Sequence, residues 1–184
     1  MNIKFLPKAK KAGEPGMGAD LYIALLDDFL DLKSPSVLET FEGETATIID
    51  THTFKPWSGP VIPGGATKVV GFLRIPLTAT KSGNYSTKQE GEFPAQMTVS
   101  EFSGRAVGLD AAQIEWLKKV KGQHVIVIVK EADCKGGKMY QIGCDCKPVE
   151  SLNFEFSSEN NELKLSGKAE CDLAEYKGTL TLHS

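Results

Sequence analysis

Residues His124-Val-Ile-Val-Ile-Val-Lys130 place five β-branched apolar side chains in succession. Successive side chains of a strand point to opposite faces, so this run reads as a strand buried on both faces. It is far too short to span a bilayer, as is the other long apolar run, Leu21–Leu26, since a spanning helix needs about 20 residues. A strand that must be covered on both sides implies a chain able to build a substantial core. The 184 residues here suit one domain that buries roughly 70% of its unfolded surface.

Strand signals recur on either side of that run. Leu152, Phe154 and Phe156 alternate with Asn153, Glu155 and Ser157, the pattern of a half-buried strand. After a turn at Asn160-Asn161, Leu163 and Leu165 alternate with Glu162, Lys164 and Ser166, and Thr179–Leu182 again has period two. Lys135-Gly-Gly-Lys138 reads as a hairpin turn into a strand at Met139–Gly143. Earlier, Glu44–Thr51 and Lys68–Ile75 carry β-favouring residues, the latter ending at Pro76, where a missing N–H is tolerable. Gln96–Phe102 is a further short strand between breakers at Gly91–Pro94 and Ser103–Gly104. Leu21–Leu26 reads as a strand, with a helix opened by Asp20 as the alternative, because a short apolar run does not settle its own period.

One helix is signalled. Asp110 is an N-cap, Gln113 at N3 completes a capping box, and Leu109 with Ile114 forms a hydrophobic staple. Ile114, Leu117 and Val120 make a short apolar stripe, Lys118, Lys119 and Lys121 suit the negative end of the dipole, and Gly122 stops the helix. The expected fold is therefore mainly β, a sandwich or barrel with one flanking helix around 110–121. Residues 1–20, with Lys8, Lys10 and Lys11 beside several glycines and Pro15, read as a flexible arm, and 21–184 as a single β-rich domain.

Charge and motif chemistry narrow the function by exclusion. Against 24 Asp and Glu stand 21 Lys and Arg, a net charge of −3 that argues against a protein built mainly to grip nucleic acid. The start has no apolar stretch of signal-peptide length, and four cysteines do not make a disulfide scaffold; the expectation is a chain folding in a reducing cytoplasm. Asp27-Asp28-Phe-Leu-Asp31 matches a magnesium-diphosphate string, but that chemistry needs a large all-helical cavity, and a solvated acidic turn is the plainer reading. Gly59-Pro-Val-Ile-Pro-Gly64 has P-loop spacing, yet Gly65 stands where the phosphate-binding lysine belongs. Gly16-Met-Gly18 begins a dinucleotide-type string, with Leu21 where its third glycine should be.

Cys134, Cys144, Cys146 and Cys171 lack the paired spacing of structural zinc sites and read as free thiols, buried or partly so. The histidines, His52, His124 and His183, accompany no nucleophile motif, so no catalytic residue, metal ligand or cofactor is expected. Trp57 sits in the Phe54–Gly65 loop, rich in proline and glycine. An aromatic in such a loop either anchors in a neighbouring subunit or packs over its own barrel.

The order of elements from Lys68 to Ser184 resembles that of the tail tube (major tail) proteins of long-tailed bacteriophages and related prophage tube proteins. The stretch holds the strand at Lys68–Ile75, the polar segment Lys81–Gly91, Gln96–Phe102, the capped helix, the apolar strand Val125–Val129, the Gly-Gly turn, Met139–Gly143 and the paired terminal strands. The resemblance implies a structural, non-enzymatic subunit of a virion tail, assembled in the bacterial host cytoplasm. Its partners would be copies of itself in rings, hexameric in that family, and other tail proteins. The rings stack into a tube whose lumen passes DNA, with no sequence-specific nucleic-acid or membrane binding. On that analogy Phe54, Trp57, Val61 and Ile62, with Lys8, Lys10 and Lys11 of the arm, would lie at subunit interfaces. Two other classes stay open: a monomeric β-sandwich module binding carbohydrate or protein, and a small enzyme with its site in a barrel mouth.

Overall fold

The computed structural model describes residues 17–39, 45–59, 68–77, 83–92, 96–131, 137–150, 152–157 and 162–183. Its frame is a mainly β sandwich with one helix. Strands β1 (Met17–Leu25), β2 (Phe29–Asp31), β3 (Ser36–Glu39), β4 (Thr45–Ile49), β5 (Thr53–Phe54) and β6 (Leu73–Pro76) come first. They are followed by β7 (Asn84–Glu90), β8 (Met97–Val107), helix α1 (Ala111–Val120), β9 (Val125–Glu131) and β10 (Met139–Ile142). The chain continues with β11 (Asn153–Ser157), β12 (Glu162–Ala169) and β13 (Ala174–Tyr176). A seven-stranded sheet runs β3-β4-β13-β10-β9-β1-β6, a four-stranded sheet β11-β12-β8-β7, and β2 pairs with β5 as a separate ribbon. Antiparallel pairing prevails, with β13 and β4 parallel.

Strand β9 occupies an interior place in the larger sheet, with β1 on one side and β10 on the other. Its two faces feed different cores. Val125, Val127 and Val129 join Leu21 and Ile23 of β1 in the space between the two sheets, where Phe102, Leu163, Leu165 and the helix residues Leu117 and Val120 meet them. Ile126 and Ile128 join Tyr22 and Ala24 on the opposite face, under Phe29, Phe72 and Tyr176. The valines thus serve one core and the isoleucines the other. All five are fully buried, and each contributes on the order of 1.5–3 kcal/mol of apolar transfer.

Helix α1 begins as its residues require. The Asp110 side chain accepts from the Gln113 N–H at 2.7 Å, and the Gln113 side chain accepts from the Asp110 N–H at 3.0 Å. Gly122 follows with φ +76°, the left-handed conformation that ends a helix without a Cβ penalty.

Several boundaries differ from the sequence expectation. Of the residues 1–20 read as an arm, Met17, opposite Glu131, to Asp20, opposite Pro76, belong to β1; residues 1–16 lie outside the described set. Leu21–Leu26 is strand rather than helix through Leu25, its side chains buried alternately in the two cores. Of the 68–75 stretch only the residues from Leu73 onward are strand, β6 running to Pro76, whereas Ser103-Gly104 does not break β8, which runs on to Val107. At Gly104 a Cβ would lie 3.1 Å from Leu77 Cδ2, so the glycine marks close packing instead of a turn. The polar 84–90 segment is an edge strand held by one buried side chain, Tyr85. Thr179–Leu182 is not a strand of a sheet but a segment whose Leu182 makes a single bridge to Phe72, and the strand before it is β13. Of the hairpin turn expected at Lys135–Lys138, Gly137, with φ +36°, and Lys138, whose carbonyl accepts from the Glu131 N–H at 2.8 Å, lead into β10, which pairs antiparallel with β9; residues 132–136 and the turn at 160–161 lie outside the described residues.

Candidate functional site

The β2–β5 ribbon and the segment that leaves it form a rim over the second core. Phe29 and Phe54 pair across the ribbon with ring centroids 4.6 Å apart, and both pack on Phe72, at 5.8 and 5.2 Å. Phe54 is therefore half-buried and anchors the loop that follows. Beyond it Trp57 is 38% exposed, its indole lying against Gly59, where a Cβ would come within 2.2 Å of Cζ2. The Lys68 ammonium sits 4.9 Å from the indole centroid, a cation–π contact that connects the two ends of the 60–67 stretch. Of the interface residues suggested by the sequence, Phe54 closes β5 and packs inward on the second core, Trp57 lies exposed in the segment that follows, and Val61, Ile62, Lys8, Lys10 and Lys11 lie outside the described residues.

Other large apolar side chains are exposed on segments tied to the same region. Leu30 of β2 is 64% exposed, and Val69 and Leu182 are 40% and 45% exposed. Leu182 is held through backbone contacts of its neighbours: Phe72 N–H donates to Thr181 O at 2.8 Å and His183 N–H to Phe72 O at 2.9 Å. A groove of about 430 Å³ opens between α1 and this segment, lined by Lys68, Arg74, Trp116, Leu182 and His183 among others. His183 Nδ1 is buried there without a hydrogen-bond partner among the described residues. Neither Leu30 nor Val69 was picked out from the sequence, because single exposed apolar residues have no periodic signature.

The acidic string lies on the same ribbon. Asp27 and Asp28 form a short 3₁₀ turn, and Asp31 pairs with Lys33 in solvent. Lys55 N–H donates to Asp28 O at 2.9 Å, so the backbone uses this turn to fasten the loop. Burial raises the Asp28 pKa, with the charges of His183 and Lys55 opposing it. Among the described residues no three His, Cys, Asp or Glu side chains come together as a metal-binding group, and no helix is long and apolar enough to cross a membrane.

Beneath the rim lies a buried polar chain that the sequence did not signal. His52 is enclosed by Phe29 and Tyr176, its ring centroid 5.3 and 5.2 Å from theirs. Lys33 N–H donates to His52 Nδ1 at 3.1 Å, which leaves the ring proton on Nε2, 2.6 Å from Gln141 Oε1. Gln141 Nε2 then donates to Gly143 O at 2.9 Å. Burial lowers the His52 pKa, opposed by the Gln141 hydrogen bond. With both ring nitrogens occupied, this histidine organises the second core.

No family model matches the chain, and no curated protein does. Among solved structures the chain is similar to a chain described as "Virion of native gene transfer agent (GTA) particle". The superposition covers 60% of this chain and 87% of that one, at 18% identity and a TM-score of 0.38. A superposition of that quality fixes neither a fold family nor a function.

Proposed function

We propose that this protein is a structural, self-assembling subunit of a phage or prophage tail, tube-like and ring-forming, with a lumen for DNA passage and no catalytic role. The observation that carries the self-assembly is the rim. Of the five exposed large apolar side chains among the described residues, Leu30, Trp57, Val69 and Leu182 belong to segments tied to the ribbon and to the chain that docks beside it. These four side chains stand on segments joined by strand pairing, backbone hydrogen bonds and the Lys68–Trp57 contact, and we take them as the candidate contact surface. The tail assignment itself rests on the resemblance in element order.

Rings need a heterologous contact that closes by rotation, in which one patch meets a different patch on the next copy. The Trp57 loop would supply one of those patches, with Phe54 fixing its base. Mild net acidity suits a lumen that must let DNA pass without holding it.

The test is light scattering over a concentration series with negative-stain images of the same samples. Six-fold rings or tubes that disappear in a Trp57→Ala and Leu30→Ser double variant support the reading. A wild-type protein that stays monomeric at every concentration, and also when added to preformed tail-tube ends, overturns it in favour of a monomeric binding module.

A further inference from the structure

Cys144 follows β10 in the seven-stranded sheet, and Cys171 follows β12 in the four-stranded sheet. Both line one cavity of about 200 Å³, together with Gln141, Gly143, Asp172 and Ala174.

Each cysteine is held by its own set of backbone contacts. Cys144 opens a tight turn in which its N–H donates to Lys147 O at 3.1 Å and the Lys147 N–H returns to Cys144 O at 3.2 Å. The Cys171 carbonyl accepts from Ser100 Oγ at 2.7 Å, and the Lys147–Glu170 ion pair, 2.8 Å long, ties the two segments together at the surface. Both thiols are half-buried, whereas Cys146 is exposed. Burial pushes the Cys171 thiol up to about 11, so at neutral pH this sulfur is held as a thiol.

We propose that Cys144 and Cys171 are a redox-responsive pair that forms a reversible disulfide between the two sheets when the protein meets a low-molecular-weight disulfide such as oxidised glutathione. The Cys144 thiolate attacks the external disulfide, forming a mixed disulfide and releasing one thiol. Cys171 then gives up its proton and attacks the Cys144 sulfur, expelling the second thiol. Two protein thiols are oxidised, one external disulfide is reduced to two thiols, and the two protein protons leave on those products. The bridge closes a loop between two segments that the Lys147–Glu170 ion pair already ties together, so it restricts the unfolded chain.

The experiment uses reduced wild-type protein and a Cys134→Ser, Cys146→Ser double variant, each titrated with oxidised glutathione and mapped by mass spectrometry without reduction. The expected result in both is a Cys144–Cys171 linked peptide, reversed by dithiothreitol, with the thermal midpoint of the linked form raised by about 5 °C or more. If the double variant fails to fold, the wild-type map decides alone. Stable separate glutathione adducts on Cys144 or Cys171, linkage through Cys134 or Cys146 instead, or no reaction while Cys146 is modified would each overturn the proposal. So would a linked form that melts below the reduced one.

Discussion

His52 Nε2 and Gln141 Oε1 lie 2.6 Å apart in the interior, joining the segment that precedes the β2–β5 partner strand to the centre of the larger sheet. The pair is polar within an otherwise apolar layer, and its chemistry makes the second core sensitive to acid.

Burial lowers the His52 pKa, so the unfolded chain takes up this proton at a higher pH than the folded one. The stability contributed by neutral His52 is fully present above about pH 6.5 and is lost as pH falls from there toward the depressed folded value. Urea midpoints measured from pH 7.5 to 5 should fall by an amount that corresponds to at most about 1.4 kcal/mol per pH unit from this group. In His52→Gln the same span should be flatter, although the variant is less stable at pH 7.5. An unchanged slope would remove His52 as the source.

Gly71 lies under the C-terminal segment, and a Cβ there would come within 2.4 Å of Thr181 O. The obstacle is backbone, which does not rotate away. Gly71→Ala should therefore detach the 180–183 segment from Phe72 and cost about 1–3 kcal/mol, read by chemical denaturation. Amide exchange at Phe72 and His183, whose N–H groups bond across this seam, should accelerate with it.

Asp110→Ala removes the acceptor for the Gln113 N–H and should cost about 1 kcal/mol. Gln113→Ala loses the other half of the box and the bond from Gln113 Nε2 to Arg74 O, so its cost should be of similar size. A double variant measured by urea unfolding should fall short of the sum of the two, because the box is reciprocal.

Leu30→Ser should leave monomer stability within about 0.5 kcal/mol of wild type, since the side chain is 64% exposed. Ile128→Ala, from the same core layer as Phe29, should cost about 2–5 kcal/mol. Thermal melts of the two side by side separate a surface contact from a core position.

What the sequence disclosed depended on period. The helix was legible because its start and stop are set locally, by the reciprocal bonds of Asp110 and Gln113 and by the left-handed backbone of Gly122. β9, β11 and β12 were legible from their alternation or their unbroken apolar run. The Ser103-Gly104 pair was misread because a glycine imposed by a neighbouring side chain, Leu77, has the same letter as one imposed by a turn. β7 was hidden because a polar edge strand needs only Tyr85 to hold it. β13 was hidden because three residues are too few to show a period. At the candidate site the Trp57 loop was visible as composition. The partner that gives it meaning, Lys68 over the indole, meets it only in three dimensions.

The alternation of valine and isoleucine along β9 has a consequence for how the strand finds its place. In a sheet with one wet face, a slip of one residue is punished by exposing every apolar group. Here a slip would hand isoleucines to the inter-sheet core and valines to the other, a difference of one methylene at each position. Inside-versus-outside logic is therefore silent for the most buried strand in the molecule. Its alignment has to be dictated by its neighbours, by the offset in β1 between Met17 and Leu21 and by Gln141 of β10, whose amide is committed at both ends, to His52 and to Gly143. Substitutions that scramble β9 itself are then tolerable so long as volume is kept. The residues that act as its ruler are elsewhere in the chain.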